Sequence, residues 1–180
     1  MKKLIFKTAI CFTAVFVVFT ATACSEETLI KTTPAQTLFE KLSGSDWVYK
    51  RKSASGKNLQ SVLRYSRTTA EDSFYLRSDH YTDGELRDTL TSEISFHPGL
   101  RGFVFTMVGQ NHGLQEGEEL ESSEKHIVFI GKAYHSDGSK VGFFWKIEMI
   151  DENTCRNHMM VFENGVWEER RIVEYKRKLD

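Results

Sequence analysis

The chain has 180 residues, with 24 Lys and Arg against 25 Asp and Glu and a formal net charge of −1. Acidic and basic side chains are interspersed along it, which argues against the positive face that nucleic acid requires. Its three cysteines, Cys11, Cys24 and Cys155, are too few for the disulfide framework of a small secreted domain.

Residues 1–23 read as a secretory signal. Lys2, Lys3 and Lys7 give a positive start, Thr8 to Ala23 carry no charge, and Ala21-Thr22-Ala23 are small. The uncharged stretch falls short of the roughly 20 apolar residues of a spanning helix, and no stop-transfer charges follow it. The small residues set directly before Cys24 resemble the lipobox of bacterial lipoproteins, with Ala21 where that family usually has Leu. The resemblance implies that the Cys24 thiol becomes a thioether to diacylglycerol and that the new N-terminus is acylated. Each buried methylene adds about 0.8 kcal/mol, so two or more chains hold a protein to a membrane where one is marginal. The chain is thus expected in a bacterial cell envelope, with the membrane as its partner through the N-terminal lipid. Ala21-Thr22-Ala23 also satisfies the A-x-A rule of ordinary signal peptidase, which would release a soluble periplasmic or secreted protein. An uncleaved membrane helix is the third alternative.

Without the signal, 21 basic residues face 25 acidic ones, about −4 in all, an ordinary solubilising surface. Residues 24–34 are polar and rich in Thr and Glu, as suits a tether. Residues 35–180 make one domain. Ala35 to Leu42 puts Leu38, Phe39 and Leu42 on one helical face, and beyond it the hydrophobic period becomes two. Leu86, Leu90, Ile94 and Phe96 share a face, as do Phe103, Phe105 and Met107. Val141, Phe143, Trp145, Ile147 and Met149 share another, and Trp167, Val173 and Tyr175 a fourth. Asp83-Gly84, Asp137-Gly138 and Asn164-Gly165 are dipeptides of two-residue hairpins. Residues 46–178 divide into nine or ten antiparallel strands with no long helix between them. Curling closed removes the open edges of such a sheet. The expected fold is all-β, an antiparallel up-and-down barrel with a short N-terminal helix; a two-sheet sandwich is the alternative.

The helix leading into Leu42-Ser43-Gly44-Ser45-Asp46-Trp47, the meander, and a last strand ending Tyr175-Lys176-Arg177 resemble the lipocalin-like (calycin) barrels and their bacterial branches. In that family Trp follows Gly with one residue between; here two separate Gly44 from Trp47. The resemblance implies a structural pairing of Trp47 with an Arg of the last strand, Arg177 or Arg171. It also implies an interior that is either filled or holds one small apolar or amphipathic ligand. Alternation supplies a candidate lining: Phe103, Phe105, Met107, Phe143, Trp145, Met149, Met159 and Trp167, with Tyr49, Asn157, Glu169 and Arg171 as polar handles. A packed core is the plainer reading of each apolar member. A non-enzymatic structural or interaction lipoprotein with a filled barrel is therefore the alternative function.

No G-x-S-x-G, P-loop, dinucleotide-glycine or H-E-x-x-H pattern occurs, so no catalytic residue is assigned. His80, His97, His112, His126, His135 and His158 stand singly near strand ends or turns, without the close pairs of a metal site. No metal or other cofactor is expected. A haem barrel similar to the nitrobindin family needs only one axial His, and His158 or His126 would serve because both fall within strand patterns. Glu116 to Glu121 reads as a solvated loop, Asp151-Glu152-Asn153 as a turn, and Cys155 as a buried apolar residue or the partner of Cys24 in a soluble form.

Overall fold

The computed structural model describes residues 32–69, 72–109 and 113–179. The expected signal, Cys24 and the tether as far as residue 31 lie outside them.

One helix, α1 (Pro34–Leu42), precedes ten strands: β1 (Asp46–Lys52), β2 (Asn58–Arg67), β3 (Ser73–Thr82), β4 (Glu85–His97), β5 (Gly102–Gly109), β6 (Gly113–Ser122), β7 (His126–Tyr134), β8 (Lys140–Asp151), β9 (Thr154–Glu163) and β10 (Val166–Arg177). Each strand pairs antiparallel with the next, and β10 returns to β1, closing an up-and-down barrel. The turns that make this possible take positive φ where Gly, Asn and Asp tolerate it. Asp83 and Gly84 sit at φ 50 and 84, Asn164 and Gly165 at 52 and 81. Asp137-Gly138 differs: only Gly138 has positive φ, within the longer connection 135–139.

α1 plugs one end of the barrel. Pro34 opens it, Thr33 Oγ1 accepts from the Gln36 amide at 3.2 Å, and the Ser43 hydroxyl donates back to Phe39 O at 2.7 Å. The helix begins one residue earlier than the sequence pattern suggests, because Pro suits its first turn. Its inward face, Ala35, Leu38, Phe39 and Leu42, is 0% exposed. The Phe39 ring lies 5.1 Å from Phe74, 5.6 Å from Phe103 and 6.1 Å from Tyr65. Beside it the Trp47 indole N–H donates to Leu42 O at 2.8 Å, and the Arg177 guanidinium stands 4.6 Å above the Trp47 ring. Arg177 also donates to Lys41 O at 2.9 Å and Ser45 Oγ at 3.2 Å. Helix end, first strand and last strand are thereby tied together.

Behind the plug the barrel is solid. Phe105 packs on Phe129, Trp145 and Phe143 with ring centroids 4.9, 5.2 and 5.8 Å apart. Two glycines make room for these rings. A Cβ on Gly131 would stand 2.1 Å from Glu116 O and 2.8 Å from the Phe143 ring, and one on its cross-strand partner Gly117 would meet the Phe105 ring at 2.7 Å. This corrects the reading of Glu116 to Glu121 as a loop. The segment lies within β6, because β5 and β7 supply its ladder and the two rings supply the apolar cover its own sequence lacks.

Two bulges overturn parity readings. Opposite His80–Tyr81 the pairing skips Arg87, so Leu86 loses the face of Leu90, Ile94 and Phe96 and is 52% exposed. In β10 the pairing skips Arg170, since Glu169 faces Met160 and Arg171 faces Met159. One extra residue reverses which side every preceding residue occupies. Trp167 and Glu169, expected inside, therefore lie on the outer wall. Trp167 is 43% exposed and packs on Phe144 and Phe162.

On that outer wall Asp79 is enclosed by Arg64 at 2.6 Å, Arg77 at 2.9 Å and Thr89 at 2.8 Å, while Arg64 also holds Asp46 at 2.8 Å. Burial opposes ionisation of Asp79, but these hydrogen bonds outweigh it and hold the carboxyl below its ordinary range. Truncating the plug, Phe39→Ala, should lower unfolding free energy by about 3–5 kcal/mol. Urea denaturation followed by circular dichroism reads it; an unchanged midpoint would mean the ring contributes nothing to closure.

Candidate functional site

The half of the barrel away from α1 is not solid. Near its middle lies a small chamber of about 80 Å3. Its apolar wall is Leu63, Leu76, Leu90, Met107, Trp145, Met159 and Val173, and its polar groups include Ser78, Ser92, Asn157 and Arg171. Next to it is a wider vestibule of about 460 Å3 lined by Tyr49, Arg51, Leu59, Gln60, Ser61, Tyr81, Thr82, Arg170 and Ile172. His80, Arg171 and Val173 line both spaces and so form the neck between them.

His80 is held from both sides. The Ser61 hydroxyl is 2.7 Å from Nδ1 and the Ser78 hydroxyl 3.1 Å from Nε2, and a hydroxyl can donate or accept, so either tautomer is satisfied. Deeper in, Tyr65 and Asn157 face each other, yet neither the Tyr65 hydroxyl nor Asn157 Oδ1 completes a well-formed hydrogen bond. Enclosure pushes the Tyr65 phenol well above its ordinary value, and burial pushes Tyr175 and the Cys155 thiol each up to about 12. Cys155 is thus a buried, protonated thiol, not a nucleophile.

The candidate residues divide among distinct places. Met107, Trp145, Asn157 and Arg171 line the inner chamber, and Tyr49 lines the vestibule. Phe103, Phe105 and Phe143 belong to the solid core behind the chamber instead, because the rings of neighbouring strands meet there and leave no space. Met149 packs at the edge of that core, paired with Cys155. Trp47 and Arg177 sit at the plugged end. Trp167 and Glu169 are outside, as the bulge requires.

The two histidines considered as haem ligands also face outward. His158 Nε2 is 3.2 Å from Glu169 Oε2, without hydrogen-bond geometry, and His126 lies 3.0 Å from Ser123 Oγ and 3.5 Å from Glu121. Asn157 and Ile127, their strand neighbours, take the inward positions. Among the described residues no group of three or more His, Cys, Asp or Glu is placed to hold a metal ion.

His80, which does reach the interior, reads in sequence as a turn residue because Asp83-Gly84 follows so closely. Ser61, Leu63, Leu76, Ser78 and Arg51 were equally unmarked. The available signal was parity: Ser61, Leu63 and Tyr65 repeat at two, as do Leu76, Ser78 and His80. Comparison with protein-family models and with curated proteins finds no match, so the functional reading rests on this geometry.

The shifted groups set an alkaline limit. Tyr65, Tyr175 and Cys155 favour the protonated form more in the folded chain than in the unfolded one. Their contribution is complete below their ordinary values and is lost as pH climbs, for Tyr175 and Cys155 towards about 12. Spectrophotometric titration should show the Tyr65 and Tyr175 phenols ionising only with unfolding, and Ellman's reagent should label Cys155 only then. Labelling of the native protein at neutral pH would contradict the burial.

Proposed function

We propose that this protein is an exported, lipid-anchored envelope protein whose barrel binds a small apolar or amphipathic molecule. The observation that carries the binding half is the graded interior, with apolar walls around the inner chamber and polar side chains around the vestibule that opens from it. A compact apolar group enters the chamber, where it replaces water against Leu, Met and Trp side chains at a gain of about 25 cal/mol per Å2 buried. A polar group remains in the vestibule, whose volume falls within the roughly 300–1,000 Å3 of ordinary ligand pockets. The anchoring half is supported by the positive start, the uncharged Thr8 to Ala23 and Ala21-Thr22-Ala23-Cys24. A carrier tethered this way samples the membrane surface continually and meets lipid-like ligands there.

A second reading, an interaction protein acting through its outer face, draws on one observation. Ile130, Phe162 and Trp167 are 38–45% exposed on neighbouring strands β7, β9 and β10, with Phe144 of β8 packed on Trp167. The two readings make opposite demands on the interior. Met107→Trp fills the chamber without touching the outer wall, so it should abolish enhancement of N-phenyl-1-naphthylamine fluorescence while thermal unfolding stays cooperative. Undiminished enhancement would move the binding activity outside the barrel. Intact mass spectrometry of membrane-extracted wild type and Cys24→Ser should show acyl chains on the first alone; equal masses, allowing for the substitution, would sink the anchor.

A further inference from the structure

The barrel closes along β1 and β10 for only a short distance. Trp47 pairs with Arg177 and Val48 with Lys176, and there the ladder between the two strands stops. β1 nevertheless continues to Lys52, paired with Asn58 of β2, and β10 continues down to Val166, paired with Glu163 of β9. From Tyr49 and Tyr175 onward the two strands therefore face each other unzipped. The bulge at Arg170 lies in this stretch of β10, and a bulge bends its strand. Tyr49 lines both the vestibule and a hollow on the outer wall shared with Val48, Lys50 and Lys176. The vestibule is lined by inward side chains such as Arg51 and Arg171 together with outer-wall ones such as Gln60, Tyr81 and Ile172, so it reaches the outer surface along this unzipped stretch.

The charges along this opening are unbalanced. Arg51, Arg170 and Arg171 line the vestibule, and no carboxylate does so among its described lining residues. Arg170 is occupied by Glu163 and Glu168. Arg51 and Arg171 have no ion-pair or hydrogen-bond partner among the described residues, whereas Arg64, Arg77 and Arg156 on the outer wall are each matched to carboxylates. Lys50 and Lys52 flank Arg51 and raise the local potential further. Arg171 stands where the apolar chamber begins, and Asn157 Oδ1 inside that chamber also lacks a partner.

We propose that the unzipped β1–β10 seam holds the anionic head group of an amphipathic ligand, a carboxylate, sulfonate or phosphate, between Arg51 and Arg171. Its apolar part passes His80 and Val173 into the inner chamber. Guanidinium groups bind such oxyanions through paired, charge-assisted N–H donors, and partial enclosure by the barrel wall strengthens them over an open surface. The inference rests on the binding function proposed above and names the ligand class for the same site.

Two probes with one ring skeleton separate the possibilities: neutral N-phenyl-1-naphthylamine and its sulfonate, 1-anilinonaphthalene-8-sulfonate. Wild-type protein should bind the two competitively and favour the sulfonate by about tenfold at low salt, with the preference shrinking as ionic strength screens it. Arg51→Met/Arg171→Met should bring the affinity ratio close to one. Arg51→Lys/Arg171→Lys should keep it above one, and Arg67→Met, which removes a charge near α1, should leave it unchanged. Equal affinities in the wild type, or a ratio that survives the double Met variant, would overturn the anionic subsite while leaving the chamber intact. Failure of the sulfonate alone to bind would overturn the anionic subsite, and failure of both probes to bind folded wild-type protein would overturn the chamber reading and this inference with it.

Discussion

A sheet becomes a barrel only when its last strand finds its first, and in this chain that meeting is confined to one short stretch beside α1. Trp47 is the centre of it. Its indole N–H is taken by the end of α1, its ring lies under Arg177, and its backbone pairs with the same arginine across the seam. A cation over an indole is worth about 0.5–2 kcal/mol depending on burial. The larger effect is geometric: helix, first strand and last strand are fixed at one point, so the remaining pairings follow round the ring as simple hairpins.

The two ends of the barrel then have different work. Near the helix, aromatic rings from seven strands and α1 fill the interior to the density of a core. Towards the hairpins at residues 83–84 and 164–165, smaller and more polar inward residues appear: Ser61, Ser78, His80 and Ser92 in place of Tyr65, Phe74 and Ile94. The solid half carries the packed core, and the open half leaves the chamber and vestibule. Because closure needs only the Trp47 end, β1 and β10 can part beyond it without unfolding the sheet, and the side opening costs little of the ladder.

Legibility from the sequence followed the same division. Strand count, hairpin turns and the plug helix were readable because each depends on neighbours in sequence: Asp83-Gly84 turns wherever it is placed, and Leu38, Phe39 and Leu42 share a face in any helix. Parity was readable only between irregularities. A single unpaired residue at Arg170 put Trp167 and Glu169 outside, and another at Arg87 did the same to Leu86. The acidic stretch in β6 concealed a strand, since its inner cover comes from Phe105 and Phe143 rather than from itself.

By itself, then, the sequence determined an all-β meander, its turns and its capping helix, all matters of local preference and short-range pattern. Tertiary structure decided which aromatic residues fill space and which border it, that His80 rather than His126 or His158 faces inward, and that Arg51 and Arg171 line the same vestibule. Those outcomes depend on bulges and on strands far apart in the chain coming together at ring closure. Periodicity specifies which residues alternate, but only the closed register specifies which alternate faces the interior.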